Sequence, residues 1–183
     1  MFIDSKYLLA LDNLLFKISL SLEAPYYPTI AGGAIRDMLL DTEVADIDVF
    51  IDAPEINPQS LKTWFKNIEV CEHGLYEDSS FNVLYKITDD AFPVPIQIIQ
   101  VKGSVQEHIS KFPLSLSRVS YTRKEGLQGI TPPFISQSHK CRLYFDKPVN
   151  YQYLDKMKQK FPNWAVSFAK PEYNPAHLHE LEF

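Results

Sequence analysis

Between Ser5 and Leu22 the apolar residues Leu8, Leu11, Leu15, Ile18 and Leu22 recur at helical spacing, so they share one face of an α-helix. Ser5 is available as the N-cap, and Pro25 and Pro28 close the helix, whose stripe is expected to pack on a sheet. Thr29 to Ala31 reads as a short strand, Gly32-Gly33 as a turn, and Ala34 to Leu40 as a second helix. The period then changes to two. Asp46 and Asp48 alternate with Ile47, Val49 and Ile51, which predicts a strand with an acidic face and an apolar face.

Pro54 and Pro58 mark the loop from Asp52, after which Leu61, Trp64, Phe65 and Ile68 predict a helix over Gln59 to Ile68. Ser80 to Thr88 alternates through Phe81, Val83, Tyr85 and Ile87, and Pro95 to Val101 is β-branched, so the two are expected to form a hairpin around Asp89 to Pro93. Further expectations are a helix from Val105 to Lys111, a strand from Leu114 to Tyr121, and a turn marked by Gly126 and Gly129. A strand from Lys140 to Phe145 and a helix from Tyr151 to Lys160, ended by Phe161-Pro162, complete the series. Pro171 to Phe183 has no clear period. The pattern predicts an α+β fold with a mixed sheet of about five strands flanked by helices. It is expected to form a single domain over residues 1–183, with a core over about 25–125 and a C-terminal extension over about 126–183.

Composition changes little in this picture. With 183 residues, 45% hydrophobic and 22% charged, the chain is long enough for a real core, and these fractions select no function. A net charge of −5 argues against a globally basic nucleic-acid surface but leaves room for a local basic cleft. Cys71 and Cys141 are too few and too far apart for a disulfide framework or a cysteine zinc site, which suits reduced thiols in a cytoplasmic protein. No secretory leader pattern opens the chain, and Asp12, Asn13, Lys17 and Glu23 interrupt the first apolar stretch, so no membrane partner is expected.

The candidate chemistry lies in Gly32-Gly33 and the residues after it. Glycine lets a phosphate approach the backbone N–H groups at a helix start, and Arg36, one turn later, offers a planar cationic fork. Asp46 and Asp48 lie ~6.6 Å apart along a strand and on the same face, so they can converge on one divalent cation or a pair. The bland alternative is a half-buried strand with a wet acidic face. Asp37, beside Arg36 in the first turn, can equally be structural, held by the helix dipole. His177 and His179 have no partners at ligand spacing and are assigned no role.

Gly-Gly-Ala-Ile-Arg-Asp-Met-Leu-Leu followed by Asp-x-Asp resembles the nucleotidyltransferase superfamily built on the DNA polymerase β-like fold. Within it the segment looks like the CCA-adding enzyme and poly(A) polymerase branch, and like small bacteriophage nucleotidyltransferases. The resemblance implies Mg²⁺ or Mn²⁺ on Asp46 and Asp48 and a nucleoside triphosphate held by Gly32, Gly33, Arg36, Asp37 and, on a later strand, Arg118. It also implies transfer of a nucleoside monophosphate to a hydroxyl of an RNA end or of a host protein, and a phage-encoded protein acting in the host cytoplasm.

Two departures stand against that pattern. Gln97 occupies the strand position where many members carry a third acid, and Pro113 follows Phe112 where the phage proteins have aspartate. They keep open a non-catalytic module that binds a nucleotide or a host protein. Lys156, Lys158 and Lys160, in a segment like a Lys-x-x-Lys-aromatic-Pro run of the phage proteins, read as the solvated face of a basic helix.

Overall fold

The computed structural model describes residues 2–22, 25–71 and 81–176. Ser80, His177, His179 and the end of the C-terminal run fall outside them. The chain begins with α1 (Ser5–Ser19), which buries Leu11, Leu14, Leu15 and Ile18. Its cap is Asp4, not Ser5: the carboxylate accepts from the Lys6 N–H at 2.9 Å. The helix stops short of Leu22, and the Ser19 hydroxyl turns back to donate to the Phe16 carbonyl at 2.7 Å.

Then come β1 (Thr29–Ala31), α2 (Gly33–Leu39), β2 (Ile47–Ile51) and α3 (Pro58–Trp64). They are followed by β3 (Asn67–Val70), β4 (Phe81–Asp89), β5 (Phe92–Val101) and α4 (Val105–Ser110). A 3₁₀ turn (Ser115–Ser117) leads to β6 (Ser120–Thr122) and β7 (Gly126–Gln128). The C-terminal part adds α5 (Pro132–His139), β8 (Arg142–Phe145), α6 (Tyr151–Lys160) and β9 (Ala165–Phe168).

Seven strands form the main sheet in the order β3-β4-β5-β2-β1-β6-β7, and β8 and β9 pair separately in parallel. Within the main sheet β2 and β5 run parallel, while the other neighbours are antiparallel. The sheet is mixed and flanked by helices as expected, but it has seven strands where the sequence suggests about five. Both additions are short edge strands. β3 lies partly where a helix is expected: α3 ends at Trp64, Phe65 is extended (φ −124°, ψ 128°), and residues 67–70 pair with β4. Leu61, Trp64, Phe65 and Ile68 fit helical spacing, but the open hydrogen-bonding edge of β4 overrides it.

Two further expectations change. Leu114 to Tyr121 is not one strand, because the chain coils through the 3₁₀ turn before joining the sheet at Ser120. The turn expected at Gly126 lies at 123–125, and Gly126 itself opens β7. Gly129 (φ +84°) packs so closely on the Arg118 carbonyl that a Cβ would stand 2.2 Å from its oxygen, so no side chain fits there. α5 and β9 are additions. The start signal for α5 is plain in retrospect: Thr131 caps the Phe134 N–H at 3.4 Å, and Pro132-Pro133 opens the first turn.

The two faces of the sheet do different work. Ile47, Val49 and Ile51 point into a large core shared with α1, α2, α3 and the C-terminal residues Phe134, Phe145, Leu154, Met157 and Phe161. On the other face Phe50, Ile99 and Val101 pack against Val105 and Ile109 of α4 in a second, smaller core. That second core does not extend over Asp48, and a cleft opens there.

Candidate active site

A cleft of about 610 Å³ lies over this second face. Its floor comes from β2 and β5, one wall from Gly32-Gly33 and α2, another from Phe112-Pro113, and its roof from α6. It gathers Gly32, Gly33, Arg36, Asp37, Asp46 and Asp48, six of the seven residues expected at the site.

The seventh, Arg118, is a correction. It lies at the end of the 3₁₀ turn and not on a strand, and it is not among the residues lining the cleft. Its guanidinium donates to the Phe112 carbonyl and pairs with Asp146, so it fixes the cleft wall from behind.

Gly32 has φ +83°, which favours glycine, and a Cβ there would stand 3.2 Å from Cε2 of Phe112. Its N–H donates to the Val119 carbonyl at 3.0 Å, which pins the turn to the sheet. With no side chain, it cannot cap the first-turn N–H groups of α2.

Arg36 borders the cleft but is only 2% exposed. Its Nε donates to Asp37 Oδ1 at 2.7 Å, with Nη2 in an ion-pair contact with the same oxygen at 2.7 Å, and Nη1 donates to Ser117 Oγ at 2.9 Å and approaches Met157 Sδ at 3.3 Å. The other oxygen of Asp37 takes Lys160 from α6. The Arg-Asp pair thus braces α2, the 3₁₀ turn and α6 together, with the Phe161 ring against the guanidinium.

Asp48 lies inside β2 and Asp46 one residue before it, both half-buried. Burial, and then the neighbouring charge of Asp46, push the Asp48 carboxyl up to about 7 against a smaller downward pull from Lys156. Asp48 is paired in register with Gln97 of β5, and Gln97 in turn with Lys86 of β4. The third position beside the acids is therefore an amide followed by a cation. Among the described residues no group of three or more His, Cys, Asp or Glu side chains could hold a metal.

The apolar end of the cleft is aromatic. His108 sits between Phe50 and Phe112, with ring centroids 5.3 and 5.6 Å away, and burial followed by the charge of Lys111 lowers its pKa.

Sequence reasoning missed the lysines. Lys86 lines the cleft from the sheet, and Lys156 and Lys160 reach it from α6 along with Tyr153 and Met157. The spacing 153, 156, 157, 160 is one helical face, so the signal existed, but nothing local indicates that this face looks onto β2. Lys158, off that stripe, is exposed.

Residues 28–109 match the family model of the poly A polymerase head domain. No curated protein matches the chain in sequence. Solved structures do match in fold. A CCA-adding enzyme in complex with CTP superposes with a TM-score of 0.63 at 13% identity, covering 98% of this chain and 47% of that one. A tRNA nucleotidyltransferase complexed with a primer tRNA and an incoming ATP analogue gives 0.56 at 12% identity, over 84% and 48%. The CCA-adding enzyme of Bacillus stearothermophilus in complex with CTP gives 0.54 at 11% identity, over 94% and 43%. The chain spans a little under half the length of each of these structures. It has the α+β nucleotidyltransferase fold of the CCA-adding enzymes and resembles the nucleotidyltransferase superfamily in sequence over its poly A polymerase head segment.

Proposed function

We propose that the chain is a metal-dependent nucleotidyltransferase that moves a nucleoside monophosphate from a nucleoside triphosphate to a hydroxyl at an RNA end. The observation that carries this reading is the meeting of Asp46 and Asp48 with the Gly32-Gly33 turn in one cleft. Two half-buried carboxylates, one with its pKa raised to about 7 by burial and by its neighbour, carry a charge that a cation offsets. Mg²⁺ commonly takes one or two carboxylates and completes its shell with water and substrate phosphates, so this donor set fits Mg²⁺ or Mn²⁺. When bound, such an ion supplies charge neutralisation at the reacting phosphate and leaving pyrophosphate.

The chain's own residues then have distinct parts. The backbone at Gly32 and Gly33 seats the triphosphate, and Arg36 and Asp37 act at one remove by holding that turn against α6. Lys156, which lines the cleft from α6 and whose charge acts on Asp48, adds positive charge for the triphosphate. The acceptor oxygen bonds to the α-phosphorus, the bond to pyrophosphate breaks, and the hydroxyl proton passes to solvent. Catalysis of this kind rests on position and electrostatics.

Asp46→Asn combined with Asp48→Asn should abolish metal-dependent pyrophosphate release while far-UV circular dichroism stays unchanged. Turnover undiminished in the double variant would falsify the assignment.

A second reading is favoured by Gln97 beside Asp48 and by Pro113 in the cleft wall: a nucleotide-binding module without transfer. Calorimetry with Mg²⁺ and each nucleoside triphosphate, beside labelled nucleotides in cell lysate, separates the two. Binding without label in RNA or protein supports the module, and label in protein moves the acceptor to a protein hydroxyl. The resemblance to small bacteriophage proteins makes a bacterial lysate the first choice for that assay. A cytoplasmic setting is part of the same proposal, and no helix among the described residues is long and apolar enough to cross a membrane.

A further inference from the structure

The cations of the cleft fall into two groups. Arg36 and Lys160 share the carboxylate of Asp37. Lys86, on β4, is half-buried beside the cleft floor, and among the described residues its ammonium makes no ion pair or hydrogen bond, and neither does the side chain of its neighbour Gln97. Glu69 stands opposite Lys86 on the edge strand without forming an ion pair with it. Across the sheet the row therefore reads Asp48, Gln97, Lys86, Glu69, one residue from each of four neighbouring strands.

The position of this row decides what it can hold. The glycine turn and α2 lie on the β1 side of β2, whereas Gln97 and Lys86 lie on the β5 side. At a strand spacing of ~4.8 Å, Lys86 is ~10 Å from Asp48, away from a triphosphate seated on the glycines. We propose that Lys86 and Gln97 form a second anion position that takes one backbone phosphate of the acceptor strand, next to the hydroxyl placed at Asp48. The inference rests on the transferase reading above and adds an acceptor-side contact to it.

An ammonium and an amide N–H are a suitable donor pair for a phosphodiester oxygen, and a protein hydroxyl brings no phosphate to fill them. Glu69, next in the row, repels a further phosphate and limits the position to one. Gln97 matters here because its neutral side chain, where an acid would repel, lets an anion approach close to Asp48.

The test measures acceptor binding apart from chemistry. Fluorescence anisotropy with a short labelled single-stranded RNA bearing a free 3′ hydroxyl, without nucleotide, is compared for the natural protein, Lys86→Gln and Lys86→Arg. Calorimetry with CTP or ATP and Mg²⁺ reports the donor side. Lys66→Gln, which removes an exposed lysine paired with Asp90, is the control for general charge. Lys86→Gln should weaken RNA binding about tenfold and lower the slope of log K against log salt by ~0.7, the value for one phosphate contact on a single strand. Lys86→Arg should recover most of the affinity, and triphosphate affinity should stay within about twofold.

Unchanged RNA affinity and salt slope in Lys86→Gln would overturn the inference, as would an equal loss of triphosphate affinity, which would place Lys86 on the donor side. Metal-dependent turnover lost in the Asp46, Asp48 double variant, combined with RNA binding indifferent to Lys86, would leave the transferase reading standing while this one falls. Label transferred to protein with no RNA affinity would overturn it too.

Discussion

The cleft has two charged ends built on opposite principles. At one, Arg36, Asp37, Lys160 and Ser117 close a network in which the guanidinium and carboxylate groups have protein partners and are buried. At the other, Asp46 and Asp48 repel each other, and the nearby Lys156 and Lys86 have no ion pair among the described residues. The first end ties three elements of the fold together, with two cations on one carboxylate. The second holds like charges together and is only partly offset by Lys156, an arrangement that clusters at functional sites. Arg36, expected from the sequence to hold a nucleotide, borders the cleft but is buried and held by Asp37 and Ser117 at the braced end.

The largest expected effect tests the structural end. Asp37→Ala leaves Arg36 buried without its carboxylate and frees Lys160, which should cost about 3–5 kcal/mol of stability in chemical denaturation. A loss below about 1 kcal/mol would mean that the network is not the brace described.

The next effect comes from the other end and depends on pH. The folded-state pKa of Asp48, about 7, lies above its ordinary 3.8, so the folded state holds the proton more tightly than the unfolded one. Below about pH 4 both states are protonated and Asp48 costs nothing. Between about pH 4 and 7 stability falls, and above that range a fixed cost remains, of the order of 2–4 kcal/mol once partial exposure is allowed for. Asp48→Asn should flatten that slope and be more stable than the natural protein at pH 8 without divalent cation. Identical stability curves for the two proteins from pH 4 to 8 would count against an uncompensated acidic end.

A smaller effect is expected at the turn between the two ends. Gly32→Ala places a methyl 3.2 Å from the Phe112 ring at φ +83° and should lower stability by about 1–3 kcal/mol in thermal melts. It should also weaken triphosphate binding. Normal binding with lowered stability would separate the turn from the nucleotide site. The smallest effect is Lys156→Gln, at an exposed position on α6. Stability should hardly move, while the Asp48 titration followed by NMR shifts to higher pH, because a stabilising positive charge is gone. An unmoved titration would detach Lys156 from the acidic end.

Where sequence reading succeeded and where it failed follows from the range of the interactions involved. The β1-turn-α2-β2 unit was legible because its signals are local: two glycines, a helical stripe, then the alternation of Asp46 to Val49. The glycine turn and the two aspartates are encoded within about twenty residues, and they meet in the cleft. Edge strand β3 was not legible, because its pairing partner β4 lies across a long connection and the same apolar residues fit a helix. Arg118 was misplaced for the same reason. Its role depends on Asp146 and the Phe112 carbonyl, which the chain alone does not bring together.

The sequence by itself determined the local chemistry: a backbone that can turn at Gly32, an acidic strand face at Asp46 and Asp48, and apolar faces that require a sheet covered by helices. Only the tertiary structure decided which charges pair within the protein and which do not. Pairing of Arg36 and Lys160 with Asp37, and the absence among the described residues of any such pairing for Lys86, depend on where α6 and β4 fall relative to β2. Neutralisation of a charge is set by distances of a few ångströms between residues far apart in the chain, and periodicity carries no record of those distances.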